Sequence, residues 1–345
     1  MVTRNDVAKR AQVSPAVVSY VLNNSNYVSK EKREAVLKAI EELGYVPNTM
    51  AKGLKNKKSF QLAITRGNTL NDMFNDLMFH MEKMAYEKGY TISMLTVDVD
   101  QKTQLVTQSF IETLVSRQFD AVFIANSSMT EKQIHYLCIK GVAVVLYSTK
   151  KYTKMGKGIS CLAPDYGEGI YQLIRFLMEM GHEKIAFMQN FRYPDMLNMN
   201  NYRFRGYCNA FLGSGRIINE KYICKCQSSI DDMVEEIAFM FTDWSDDERP
   251  TAIYVDETVI AGLVMRRLRE LGFRIPEDVS IVTSSDSTLS KILYPALTAT
   301  GVDAKEMAQK VLNMMIQLID EKKTEECFMP MQLHIRESVK NLNEK

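Results

Sequence analysis

The stretch SPAVVSYVLNN, residues 14–24, carries side chains suited to reading a surface by hydrogen bonding and none suited to breaking a bond. Ser14 is a favoured helix N-cap and Pro15 fits the first helical position, so a helix should start here. Val18, Val21 and Leu22 then fall on one stripe at helical spacing. The other stripe holds Pro15, Ala16, Ser19, Tyr20 and Asn23, with no charge among them, whereas a solvated face ordinarily carries some. Such a face can come close to base edges in a duplex groove: Ala16 against a thymine methyl, the Tyr20 hydroxyl reaching further. Ser14, Ser19 and Asn23 suit phosphate oxygens, which set register without carrying sequence information. Taken alone, these residues also fit an ordinary surface helix, and composition by itself favours that plainer reading.

Bond-making chemistry has little to work with elsewhere. The glycines of GSGR at 213–216 lack the third glycine of a dinucleotide loop, and no GxxxxGK[ST] phosphate loop occurs. The four histidines (His80, His135, His182, His334) lie far apart in sequence. The six cysteines (Cys138, Cys161, Cys208, Cys224, Cys226, Cys327) contain no CxxC pair and read as reduced thiols, with Cys224 and Cys226 the one spacing that could hold a metal. The expectation is a protein that is not an enzyme and has neither cofactor nor metal.

The candidate reading face needs a scaffold, and its neighbours supply one. Thr3 can cap a helix with Asp6 three residues on, and Val7, Ala8 and Ala11 form that helix's apolar stripe. Only QVS separates it from Ser14, so two short helices meet through a tight turn, a helix-turn-helix candidate. In SKEKREAVLKAIEELG, Ser29 caps a third helix, Ala35, Val36, Ala39, Ile40 and Leu43 form its stripe, and Gly44 stops it. Helices one and three can then bury Val18, Val21 and Leu22 from behind, leaving the second helix free to enter a major groove.

Next comes PNTMAKGLKNKKS, 47–59. Gly53 costs about 1 kcal/mol relative to alanine in a helix, and the segment is too short to be helical alone, so it should stay disordered until a partner stabilises it. Lys52, Lys55, Lys57 and Lys58 can neutralise phosphates, and Leu54 among them can part a base step as an apolar wedge. By composition a plain basic linker fits equally well.

Charge follows the same division. Residues 1–58 hold 11 Lys and Arg against 5 Asp and Glu, a balance of +6, so the other 287 residues of this 345-residue chain carry −5 within a net +1. A basic head on an acidic body points to a polyanion partner for the head only. MVTRNDVAKRAQ has no apolar signal region and no run of eighteen apolar residues occurs, so a cytoplasmic protein without a membrane partner is expected.

From FQLAIT onward, short apolar runs alternate with amphipathic helices, the pattern of parallel sheets wound with helices on both faces. Strands are expected at FQLAIT, TISMLTV, AVFIA, VAVVLY, KIAFMQ, TAIYV and VSIVT, and helices over 72–88, 102–117, 165–180, 229–241, 257–271 and 303–320. So many units exceed one comfortable sheet; two subdomains with a ligand cleft at the carboxyl ends of their strands should result.

The motifs DVAKRAQVSPAVVSYVLNN, VSKEKREAVLKAIEELGYVPN and MAKGL, in order and nearly without gaps, resemble the DNA-binding head of the lactose-repressor (LacI/GalR) family of bacterial transcription regulators. LIRFLMEMGHEKIAFM, RFRGYCNAF, LRELGFRIPEDVSIV, YPALTATGVDAKEMAQ and LHIRES resemble the family's effector-binding core, itself similar to periplasmic sugar-binding proteins. The resemblance implies a head over 1–46, a hinge helix over 47–59 that folds on operator DNA, and a core over 60–345. That core would divide into an N-subdomain (60–160 and 291–326) and a C-subdomain (161–290 and 327–341), with three crossovers near 160, 290 and 327. It implies a homodimer on double-stranded operator DNA and base contacts from Pro15, Ala16, Tyr20 and Leu54; phosphate contacts are expected from Thr3, Ser14, Ser19, Asn23, Lys52 and Lys55.

Tyr20 departs from the arginine or histidine of many relatives, so the family's commonest operator bases do not carry over. In the cleft, Arg203 matches the family's ligand arginine and Phe74 a stacking aromatic. The usual Asn-Asp pair becomes Glu257 and Thr258, and Gly-Tyr-Asp-Asp becomes Thr283, Ser284, Ser285 and Asp286. A small-molecule effector, sugar-like or another metabolite, would then be held by Phe74, Arg203, Glu257, Ser285 and Asp286. The alternative is a regulator controlled by a partner protein, with no small-molecule effector.

Overall fold

The computed structural model describes residues 2–46, 58–67, 72–100, 103, 105–125, 129–148, 156, 158–190, 197, 199, 201–226 and 228–344, apart from the Asn23 side chain. The chain forms two units, Met1–Ser59 and Phe60–Lys345.

In the first unit, α1 (Arg4–Arg10), α2 (Pro15–Asn23) and α3 (Lys30–Leu43) arise where the caps predict. Thr3 and Asp6 form the reciprocal capping box, Ser14 accepts from the Val17 amide, and Gly44 closes α3 in the left-handed region at φ 61°. Val7, Ala8, Val18, Val21, Val36, Ala39 and Tyr45 fill the core between the three helices. Leu22 is only half-buried, because α2 turns Val18 and Val21 most directly inward.

The second unit contains two sheets. The first has the order β10-β5-β4-β3-β1-β2 and is parallel throughout: β1 (Gln61–Arg66), β2 (Thr91–Thr96), β3 (Ala121–Ala125), β4 (Ala143–Tyr147), β5 (Ile159–Pro164) and β10 (Glu326–Met329). Period-two alternation sorts its side chains. Leu62, Ile64, Phe123 and Val145 pack with α4 (Met73–Glu87) and α12 (Ala304–Asp320). Ala63, Val122, Ile124 and Val144 pack with α5 (Gln108–Ser116) and α6 (Glu131–Ile139). The second sheet has the order β11-β9-β8-β7-β6: β6 (Ile185–Met188), β7 (Ala252–Val255), β8 (Ser280–Thr283) and β9 (Thr298–Gly301) run parallel, and β11 (Gln332–His334) pairs antiparallel with β9. Ile185 and Phe187 face α7 (Tyr166–Glu179) and α8 (Tyr202–Gly213); Ala186 and Met188 face α9 (Ile230–Thr242) and α10 (Thr258–Glu270). Helices α7 and α8 press closely together, and a Cβ added at Gly206 would stand 2.6 Å from the Gly167 carbonyl.

Two expectations need correction. Helix α5 begins at Gln108, not near 102, because Thr107 caps it by accepting from the Phe110 amide. The crossovers also fall later than the motifs imply: after β5 ends at Pro164, after β9 ends at Gly301, and between Met329 of β10 and Gln332 of β11. ISCLAP, TATG and ECFM are too short, or too rich in Pro, Gly and small residues, to announce themselves as strands, yet pairing with a neighbour completes each sheet. Helix α6, also unforeseen, starts at a capping box between Thr130 and Gln133. No helix among the described residues is long and apolar enough to cross a membrane.

Candidate nucleic-acid interface and ligand cleft

Helix α2 turns the predicted face outward. Ser14, Pro15 and Ala16 are exposed, and Tyr20 is 36% exposed. Ser19 is half-buried because its hydroxyl donates to the Pro15 carbonyl at 3.0 Å and accepts from Arg4 at 3.0 Å. That contact brings the exposed Arg4 guanidinium to the edge of the reading face, a cation that helical periodicity did not single out. Thr3, exposed beside it, spends its hydroxyl and amide on Asp6. The Asn23 side chain, Lys52, Leu54 and Lys55 lie outside the described residues.

In the second unit, the residues that leave the carboxyl ends of the strands converge. Met188, Val255 and Thr283 stand abreast on β6, β7 and β8, so Gln189–Asn190, Asp256–Glu257 and Ser284–Ser285 continue side by side off the sheet edge. All six are buried. The Asn190 amide nitrogen donates to both Asp256 oxygens at 3.1 Å, and its side-chain Nδ2 donates to Glu257 Oε1 at 3.2 Å. Burial, and then the like charge of Glu257, push the Asp256 carboxyl above its ordinary range; Arg203 opposes that shift. Tyr254 shares a 2.7 Å hydrogen bond with Ser284, and Thr258 donates to the Ser285 carbonyl at 2.8 Å. The Gln189 amide and the Ser285 hydroxyl are buried without a hydrogen-bond partner among the described residues. Such groups are costly to leave unmet, so they suit a polar ligand.

Arg203 enters this group from the first turn of α8, whose N-cap Asn201 accepts from the Arg203 and Phe204 amides. It is 4% exposed, with its guanidinium 3.6 Å from the centre of the Tyr166 ring. From the other subdomain, Phe74 opens α4 and meets Tyr147, at the end of β4, edge-on at 5.7 Å. The Tyr147 and Tyr166 hydroxyls are 2.5 Å apart, so the two cleft walls touch here.

Glu257 and Ser285 thus lie at the strand ends of the second sheet, Arg203 in the first turn of α8, and Phe74 on α4 of the other subdomain, against Tyr147. Asp286 differs. Its carboxylate is engaged by Arg336 and Ser290, with Lys291 at 3.7 Å and His334 at 3.5 Å, so it ties the end of β8 to β11 and the segment after it. The expected effector contact of Asp286 thus falls on a carboxylate already tied within its own subdomain. Spacing overlooked Asp256, Asn190, Gln189, Tyr147 and Tyr166. Two adjacent acids directly after an apolar strand were a signal that could have found Asp256.

Comparison with known proteins covers both units. Residues 3–48 match the family described as bacterial regulatory proteins, lacI family, and residues 174–339 match a periplasmic binding protein-like domain. Catabolite control protein A of Priestia megaterium is 26% identical over 341 residues, covering 98% of this chain and 99% of that protein. The ribose operon repressor of Halalkalibacterium halodurans is 28% identical over 344 residues, covering 99% and 98%. Among solved structures, the lac repressor dimer bound to operator and the anti-inducer ONPF aligns with a TM-score of 0.76 at 19% identity, covering 98% of this chain and 99% of that one. The transcriptional regulator CelR in complex with cellobiose aligns with a TM-score of 0.68 at 23% identity, covering 98% and 100%. A lacI-type head followed by a periplasmic-binding-protein-like core, in relatives aligned end to end, gives this chain the domain organisation of the LacI-family regulators it is similar to.

Proposed function

We propose that this protein is a sequence-specific transcriptional repressor of the cytoplasm, not an enzyme, which binds operator DNA as a homodimer and whose operator affinity is set by a small polar molecule in the cleft. The observation that carries the reading is the outward, uncharged face of α2, Pro15, Ala16 and Tyr20, backed by a complete three-helix core. Pro15, Ala16 and Tyr20 contact bases, Thr3, Ser14, Ser19 and Asn23 contact phosphates beside Arg4, and the hinge adds Lys52, Lys55 and the Leu54 wedge.

Arg203, Asp256, Glu257, Asn190, Gln189 and Ser285 offer both donors and acceptors, and Phe74 an apolar wall, which suits a polyhydroxylated ligand. Sugars bound to neighbours of this fold, cellobiose and ribose among them, belong to that class. For dimerisation, α4 exposes Phe79 and Tyr86, while Ile292 and Tyr294 are exposed at and just past the end of α11 (Thr288–Ile292). Asp76 joins the two elements by accepting from the Thr288 amide at 2.9 Å, and these exposed side chains are the surface proposed to meet a second copy. Control by a partner protein is the second reading; it draws on the departures Glu257, Thr258 and Ser285 in the cleft.

The test uses the full chain and a duplex selected by it from a random pool. Operator affinity should fall steeply and linearly on a log–log salt plot, because basic groups of each head displace counterions. A flat plot would falsify operator binding. A thermal-shift screen of sugars, nucleosides and phosphorylated metabolites then tests the cleft, since a bound ligand raises the core's melting temperature by mass action.

A further inference from the structure

The aromatic contacts across the cleft meet at a hydrogen bond between two tyrosines. Phe74 and Tyr147 belong to the first subdomain, and Tyr147 is braced there edge-on by Phe74 at 5.7 Å and by Phe123 at 6.2 Å. Tyr166 and Arg203 belong to the second, on the tightly packed pair α7 and α8. Each half is held within its own subdomain. Between them run the Tyr147 and Tyr166 hydroxyls, 2.5 Å apart and both on buried residues.

Taking the cleft as the ligand site, a premise that rests on the function proposed above, we propose that the Tyr147–Tyr166 hydroxyl pair positions Arg203 for the ligand and ties its occupancy to the relative placement of the two subdomains. The Arg203 guanidinium rests on the face of the Tyr166 ring at 3.6 Å, so the ring's orientation sets where the guanidinium fork points. The ring's orientation is in turn held by the hydroxyl contact with a residue of the opposite wall. Tyr166 stands two residues past Pro164, where the chain first crosses between subdomains, so rotation about the crossovers reorients it relative to Tyr147. A ligand that draws Arg203 off the ring, or seats it more firmly, therefore favours one arrangement of the subdomains over the other, which is the differential affinity that coupling requires. A second tie, Asp76 to the Thr288 amide and hydroxyl, also joins the subdomains but touches neither Arg203 nor Phe74 in this way, so it restrains the subdomains without reporting on the ligand arginine.

The experiment is a double-mutant cycle in the full-length chain with Tyr147→Phe, Tyr166→Phe and both, and Tyr222→Phe as a control. Tyr222 donates to the Glu248 carbonyl at 2.8 Å, a hydroxyl contact confined to the second subdomain. Operator affinity is measured on the selected duplex without added sugar and with ribose, glucose or cellobiose at saturating concentration. Subdomain placement is measured by small-angle scattering and by hydrogen exchange in the first turn of α7. Each single variant should change operator affinity about two- to tenfold, the loss of one hydrogen bond, with the double variant no worse than the larger single. Exchange at the start of α7 should rise in the same variants, and Tyr222→Phe should leave both readouts unchanged. Additive singles, or singles that match wild type in exchange and scattering, overturn the proposal. If no duplex is bound at all, the function proposed above fails, while exchange and scattering still decide whether the hydroxyl pair holds the subdomains together.

Discussion

The head and the core place their functional side chains in opposite environments. In the head, Pro15, Ala16 and Tyr20 face solvent, and the buried residues behind them, Val7, Val18 and Val36, only hold the helices together. In the core, Asp256, Glu257 and Asn190 are buried at the ends of strands and Arg203 in the first turn of α8, and Asp256, Glu257 and Asn190 depend on one another for charge state or hydrogen bonds. A surface that reads a large rigid partner can be exposed and nearly uncharged, because the partner supplies the desolvation when it docks. A cleft that captures a small ligand must keep its polar groups dry and oriented beforehand, so each buried charge has to be balanced inside the protein.

The strongest test of that contrast is Val18→Asp, which puts a carboxylate into the head's small core. A loss above about 4 kcal/mol is expected, enough to unfold a core of this size. Calorimetry should show the head's transition gone and the core's unchanged, and operator binding should vanish. A core transition that falls as well would break the comparison, because the two regions would no longer fold separately. Arg203→Ala should come next. It removes the charge that opposes the upward shift of the Asp256 carboxyl, so the core should lose stability, and it removes any response of operator affinity to a cleft ligand. The head's salt dependence should be retained, and loss of the salt slope in this variant would count against the division of labour.

Acid sharpens the comparison, because all four histidines lie outside the head. His182 is buried among Thr251, Ser280 and the Lys340 carbonyl, and burial pushes it down from the usual 6.5 to about 4. Below pH 6.5 the unfolded chain takes up a proton that the folded core refuses until about pH 4, so stability present above 6.5 is lost across that window. The slope should approach about 1.4 kcal/mol per pH unit at most. Urea unfolding of the core in wild type and His182→Gln, compared between pH 7 and 4, should show the difference; parallel curves would exclude His182 as its source. The smallest effect belongs to Tyr20→Phe, which removes one hydroxyl from an exposed ring. Affinity for the selected duplex should change by less than about tenfold, confined to one base-pair position, and a change spread evenly over all positions would mean that Tyr20 does not read bases.

Much of the molecule was legible before any coordinates. The head's three helices follow from Thr3, Ser14 and Gly44 as caps and stops and from stripes at helical spacing, all of them local signals. In the core, strands such as AVFIA and AIYV are apolar enough to stand out, whereas TATG and ECFM become strands only because a neighbour offers unpaired backbone groups. The cleft was half legible. Arg203 and Phe74 were found through motifs, but the fate of Asp286 depended on Arg336 and His334, about fifty residues further along the chain.

The sequence by itself determined the order of elements, the basic head and its outward uncharged face, because caps, periodicity and charge act between residues a few positions apart. Tertiary structure alone decided which acids are buried together, that Asp286 is taken up internally, and that Tyr147 meets Tyr166. Those outcomes rest on strand register and on three chain crossovers, which bring distant residues to one sheet edge where burial sets their charge and partners.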